Sequence, residues 1–256
     1  MNEYHYDGFI VKELNYFEYK NLVKKLLTND VNVLDIIFNE LFDHCLVSDK
    51  KYNAFEKFKL ILFIRSLILG EEIQINYNKK NYTFDISNIL EKASINVDDI
   101  ETDLFILNNF TNFYIEDIGK EIIKNLKVLK IDNKEINVER FTYEEKETLF
   151  NEITDSNIGE LYNKILESIK YSKIKFLDLD INLHNGELLN VLKHIFNYDL
   201  SSLYDFEYSL MKHLNFSSSD FKNYSFSELK LFHNKLKEEF KEQNEKPNTG
   251  ISLPSK

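Results

Sequence analysis

NAFEKFKLILFIRSLILGEEIQINYNKKNYTFDI, residues 53–86, holds the two periodicities that decide the fold class. Its first half, Asn53 to Leu69, reads as one strongly apolar helix, and Gly70 stands where a left-handed C-cap would end it. The second half changes period. Ile73, Ile75 and Tyr77 alternate with polar neighbours, and Asn78 to Asn81 supply the turn of a hairpin. A buried helix followed at once by a hairpin points to the α+β class. The apolar run Leu60 to Leu69 is interrupted by Arg65 and Ser66 and is too short to cross a bilayer, so it belongs in a core.

Towards the N-terminus, YHYDGFIV reads as a short strand or extended arm, followed by a helix on which Phe17, Leu22, Leu26 and Leu27 recur. VLDIIFNELFDHCLV then puts Leu34, Ile37, Leu41 and Cys45 on one stripe. Towards the C-terminus the middle is mixed: strand-like LFIL and TNFYI, a helix around Glu116 to Leu126, and a second hairpin in VLKIDNKEINV. Thr142 with Glu145 forms a capping box that starts a helix through Ile153, and Gly159 to Tyr171 is helical again. IKFLDLDINL reads as a strand, Glu187 to Phe196 as a helix, and LYDFEYSLMKHL repeats Leu203, Phe206, Leu210 and Leu214 at helical spacing. Ser225 with Glu228 opens a last helix whose inner face carries Leu229, Phe232, Leu236 and Phe240. Both prolines, Pro247 and Pro254, lie in the last ten residues, so nothing upstream meets the strongest helix breaker.

These patterns predict an α+β, predominantly helical protein with short β-hairpins and a C-terminal helical unit. The expected organisation is N-terminal helices plus hairpin over 1–94, a mixed region over 95–172, the C-terminal helical unit over 173–245 and a disordered tail over 246–256.

Composition narrows the function. A net charge of −11 gives a field that repels nucleic acid and anionic lipid. The basic side is nearly all lysine, with Arg65 and Arg140 the only arginines, and lysine replaces arginine poorly where phosphate is gripped at two points. Cys45 is the only cysteine, which excludes an internal disulfide and any multi-cysteine zinc site and fits a reducing compartment. The opening MNEYHYDGFIVKELNYFEY has an early acid and no continuous apolar stretch, so no secretory signal is expected. The six glycines are isolated, so no phosphate loop is present.

Three constellations offer chemistry. In DLDINLHNGE, Asp178, Asp180, Asn182 and His184 recur every second residue and would line one strand face. As a calcium loop the segment fails, because Leu183 stands where glycine is needed and Leu189 where glutamate is needed. His44 and Cys45 are adjacent and diverge by about 100° on a helix, so they form no dyad, and Cys45 reads as a buried hydrophobe. Acidic pairs Asp98–Asp99 and Glu144–Glu145 sit where helix N-termini attract anions. His194, His213 and His233 fall on separate helices, at the surface or its boundary. The aromatic content, 21 Phe and 15 Tyr without Trp, mostly fills the core but leaves Tyr204, Tyr208, Phe221 and Tyr224 near the rim of the C-terminal unit as partner-binding candidates. Helices around Phe38, Phe42 and Tyr52 offer a second candidate surface.

The succession NVLDIIFNELFDHCLV and FEKFKLILFIRSLILGEEIQINY, within residues 32–77, resembles the baseplate hub and hub-assembly family of T-even-type contractile-tailed bacteriophages. Asp35, Ile36, Ile37, Arg65, Ser66, Gly70 and Glu71 stand where that family has a "DII" helix, a longer helix ending in Arg-Ser, and a strand leading into a hairpin. Residues 187–243 resemble its helical C-terminal end. IKFLDLDINLHNGEL lacks the paired cysteines that some relatives carry, so no zinc site transfers, and the family offers no catalytic residue to carry over.

The resemblance implies a non-catalytic structural or chaperone-like assembly protein, acting in the cytoplasm of the infected host bacterium and in the virion tail baseplate. Its partners would be hub, tail-tube or tape-measure proteins, with no nucleic acid, membrane or cofactor. Two alternatives stand beside it: a small metal-dependent hydrolase built on Asp178, Asp180 and His184, and a regulatory protein of a mobile element that binds a host factor.

Overall fold

The computed structural model describes residues 3–6, 9–28, 30–45, 52–77, 79–91, 99–108, 110, 112–131, 134–152, 155–177, 179–184, 186–196 and 199–245. In chain order these form β1 (Glu3–Tyr6), β2 (Phe9–Lys12), α1 (Tyr16–Leu26), α2 (Val33–Cys45), α3 (Ala54–Leu69), β3 (Glu72–Tyr77), β4 (Lys80–Asp85) and α4 (Ile86–Glu91). The middle carries β5 (Ile100–Glu101), β6 (Phe105–Leu107), α5 (Ile118–Asn125), β7 (Leu126–Ile131), β8 (Lys134–Asn137), α6 (Tyr143–Asn151) and α7 (Asp155–Tyr171). The chain continues with β9 (Lys173–Phe176), β10 (Leu179–Asn182), α8 (Glu187–Ile195), α9 (Leu200–Leu214), α10 (Asp220–Asn223) and α11 (Phe226–Glu245). The fold is α+β and predominantly helical, with its strands in small antiparallel sheets.

Helix starts are fixed by side chains that satisfy the first free amides. Asn15 with Glu18 at α1, Asn53 with Glu56 at α3, and Thr142 with Glu145 at α6 each form a reciprocal capping box. At α11 the Ser225 amide donates to Glu228 at 2.8 Å, and the Glu228 amide returns to the Ser225 hydroxyl at 3.2 Å. α3 ends at Gly70, whose φ of 89° favours glycine, although its ψ of −178° is extended instead of left-handed helical. The hairpin read from alternation is β3–β4, with Ile73 opposite Phe84 and Ile75 opposite Tyr82. β5, β6, β7 and β8 form one four-stranded antiparallel sheet in that order.

Two apolar clusters hold these elements. One draws on residues 100–165, with Phe105, Leu107, Phe110, Leu126, Leu129, Leu161 and Ile165 almost fully buried. The larger joins α1–α4 to Phe113 and to the elements between Ile174 and Leu229. The N-terminal and C-terminal helices thus share a core. Tyr16 stacks on Phe206 and packs against Phe221 and Phe226, and its hydroxyl donates to the Leu203 carbonyl at 2.6 Å. Tyr19 donates to the Phe196 carbonyl at 2.7 Å, and the Phe226 amide donates to the Leu14 carbonyl at 3.2 Å.

Several expectations are corrected. TNFYI forms no strand over Asn112–Ile115, where the Asp35 carboxylate takes the Phe113 and Tyr114 amides at 2.9 and 3.2 Å in place of a neighbouring strand's carbonyls. IKFLDLDINL is two strands: Phe176 pairs with Leu179, and Leu177 turns the chain at φ 50°. The final helix runs on to Glu245, past the expected tail start at Lys241, and residues 246–256 lie outside the described residues. On α11, Leu229 and Leu236 are buried, but Phe232 and Phe240 are over a third exposed. Glu144 and Glu145 do occupy a helix first turn, whereas Asp99 precedes a strand and pairs with Lys127 at 2.8 Å. Phe38, Phe42 and Tyr52 are buried and offer no surface. The side chain of Cys45 falls outside the described residues, as does Asp98.

Candidate protein-binding surface

Asp180 and His184 of the candidate metal group do not come together. Asp180 is exposed on β10 opposite Lys175, while His184 is buried, its Nδ1 bonded to the Asn112 carbonyl at 2.9 Å and its ring edge-on to Phe110. Asn182 is used locally, accepting from the His184 amide at 2.7 Å. Asp178 lies outside the described residues. Among the described residues no three His, Cys, Asp or Glu side chains are placed to hold a metal ion. Gly186, in the turn that follows, packs so closely on Val31 that a Cβ there would sit 2.4 Å from a valine methyl.

Burial holds the His184 imidazole below its ordinary value, opposed by its bond to the Asn112 carbonyl and by the charge of Asp35. His194 and His233 are lowered too, chiefly by burial. When an imidazole is held down in the folded state, the unfolded chain binds more protons between the two values. Its contribution to stability is complete above the free value of 6.5 and declines as pH falls towards the folded value. The urea midpoint should therefore drop between pH 7 and pH 5, and His184→Gln, which keeps a donor towards Asn112, should flatten that drop. A parental midpoint that is constant over this window would contradict the placement of His184.

A cleft of about 860 Å³ between α2 and α5 is acidic, with Asp35, Glu116, Asp117 and Glu121 on its walls. Three of these carboxylates are structural. Asp35 holds the 113–114 turn, Asp117 caps α5 through the Lys120 amide at 3.1 Å, and Glu121 accepts from Asn112 at 2.7 Å.

The four aromatic candidates separate. On α9, Leu203, Phe206 and Leu210 face the core, so helical geometry turns Tyr204, Tyr208 and Met211 outward, 49%, 63% and 43% exposed. These three recur at i, i+4 and i+7 and make a continuous ridge. Phe221 is corrected from rim to core: it is 2% exposed, because α10 turns it inward against Tyr16 and Phe216. Tyr224 is 37% exposed but belongs to a second cluster with Phe216 and Phe232, with ring centroids 5.8 Å away in each case.

The lysines that border the ridge were missed in the sequence. Lys20 of α1 reaches to 3.9 Å from the Tyr204 ring centroid and pairs with Glu207, and Lys24 stands 6.0 Å from the same ring. Lys212 lies 5.4 Å from the Tyr208 ring. The i, i+4, i+7 spacing could have revealed Met211 as a member of the ridge. Nothing local could have revealed Lys20 and Lys24, which tertiary packing brings across more than 170 residues.

No family model matches the chain, and no curated protein or solved structure is significantly similar to it. No helix among the described residues is long and apolar enough to cross a membrane.

Proposed function

We propose that this chain works as a non-catalytic protein-binding component, with the Tyr204–Tyr208–Met211 ridge of α9 as its principal contact surface. The exposure of that ridge is the observation that carries the reading. Three large side chains, two of them tyrosines, stand in water on a helix whose other face is already packed. Tyrosine is suited to the task, because its rigid ring buries apolar area while its hydroxyl stays hydrated.

Within this reading, the resemblance of residues 32–77 and 187–243 supports a component or assembly factor of a contractile-tailed phage baseplate hub. It would act in the infected bacterium's cytoplasm and the virion baseplate on hub, tail-tube or tape-measure proteins. The separation of Asp180 from His184 weighs against the hydrolase alternative.

The double substitution Tyr204→Ala, Tyr208→Ala should leave the thermal midpoint within about 2 °C of the parent, since surface changes are usually small in effect. Partner capture should fall at least tenfold, as expected for central interface aromatics. Tagged protein from infected cells, compared by quantitative mass spectrometry, reads both forms. Equal recovery of every specific partner by the two would refute the assignment.

A further inference from the structure

We infer that the α9 ridge receives an acidic amphipathic helix of a partner protein, an inference that rests on the protein-binding reading and names the chemistry of the partner. The ridge spans eight residues, about 10 Å along the helix axis, which matches two turns of a docking helix. Its surroundings oppose the charge of the whole molecule. A chain of net charge −11 here sets Lys20 and Lys24 from α1 and Lys212 from α9 around two exposed tyrosines. Of the acids on α9 here, Glu207 is occupied by Lys20 and the exposed Asp205 follows Tyr204, so three ammonium groups stand against two carboxylates. Lys24 and Lys212 make no ion pair among the described residues, so acids flanking the apolar stripe of an incoming helix would meet open ammonium groups.

Other occupants fit less well. The chain's own 246–256 segment carries Lys246 and Lys256 and no acid. A nucleic acid would want the tyrosine faces for stacking, but ammonium groups already stand against them, and the overall field repels phosphate.

Selection of displayed random 16-residue peptides on the immobilised full chain tests this. Enriched peptides should be net acidic, with Glu or Asp flanking apolar residues at i, i+4 spacing. Their synthetic forms should bind at least tenfold more weakly to the K24E/K212E variant and to Tyr208→Ala, and more weakly in 500 mM than in 50 mM salt. Lys20 is left intact so that its ion pair persists, and circular dichroism melting verifies that the variants fold. Absence of enrichment, enrichment of neutral or basic peptides, or equal binding to K24E/K212E overturns the inference. Acidic peptides that bind the variant equally leave the general protein-binding reading standing while removing this one. Binding of a fluorescein-labelled oligothymidylate that is lost in K24E/K212E would overturn it in favour of nucleic acid. A concentration-dependent dimer lost in K24E/K212E would overturn it in favour of a second copy.

Discussion

Arg65→Met should lower the unfolding free energy by about 3–5 kcal/mol, read from urea denaturation, because it strips the donor from three carbonyls at once. Arg65 is 3% exposed, and its guanidinium donates from Nε to the Ile195 carbonyl at 3.0 Å, from Nη2 to the Glu72 carbonyl at 2.8 Å and from Nη1 to the Gly70 carbonyl. These acceptors come from the end of α8, the start of β3 and the residue that ends α3. Helix C-termini leave carbonyls without intrahelical partners and carry partial negative charge, so a buried cation is tolerated there without a carboxylate. The last turn of α3 has no basic residue of its own. Lys230 of α11 completes the arrangement by donating to the Ile68 carbonyl at 3.2 Å. Burial lowers the pKa of both cations. Methionine keeps much of the stem's packing but offers no donor. Arg65→Lys should recover less than half of the loss, since one ammonium cannot reproduce a planar fork reaching three directions. A change below 1 kcal/mol in Arg65→Met would show that these contacts do not organise the junction.

Deletion of residues 200–256 should leave a chain that does not fold cooperatively. The C-terminal helical unit read from the sequence shares one core with the N-terminal helices. The deletion removes Leu203, Phe206, Leu210, Phe221, Phe226 and Leu229, all buried in the cluster that also holds Tyr16, Tyr19 and Leu22. At about 1.5–3 kcal/mol for each buried side chain, the loss is at least about 9 kcal/mol, comparable to the whole stability of a typical domain at about 5–15 kcal/mol. The Leu203 carbonyl that accepts from Tyr16 disappears as well, together with the rings that cover Tyr16. Loss of the sigmoidal melting transition together with aggregation is the expected result. A soluble remainder with a sharp transition would contradict the account of the shared core.

Local chemistry made much of the fold legible. The capping boxes at Thr142 and Ser225, the hairpin at 73–85 and the helix that ends at Gly70 follow from neighbours two to four residues apart, and these interactions act the same way in any context. What the sequence hid were choices made by distant partners. TNFYI has strand composition, yet the Asp35 carboxylate from α2 takes its amides. DLDINLH alternates correctly for a strand face, but β10 ends at Asn182 and the inward bond of His184 to Asn112 turns it away from the exposed Asp180. Phe221 has the same local pattern as Tyr224, and Phe216 packs against both, but only Phe221 is also covered by Tyr16. Of the proposed binding surface, the tyrosines were legible from their position opposite Leu203, Phe206 and Leu210, while the lysines from α1 were not.

Site-specific photo-crosslinking at position 208 tests the central claim most directly. With a benzoyl-phenylalanine at 208, and the same group at the exposed Thr148 of α6 as control, irradiation of cells that naturally contain the protein should give one discrete protein adduct at 208 and none at 148. Mass spectrometry of that adduct should place the crosslink on an acidic, amphipathic segment of a single partner. No protein adduct at 208, or the same adducts from both positions, would contradict a binding role for the α9 ridge.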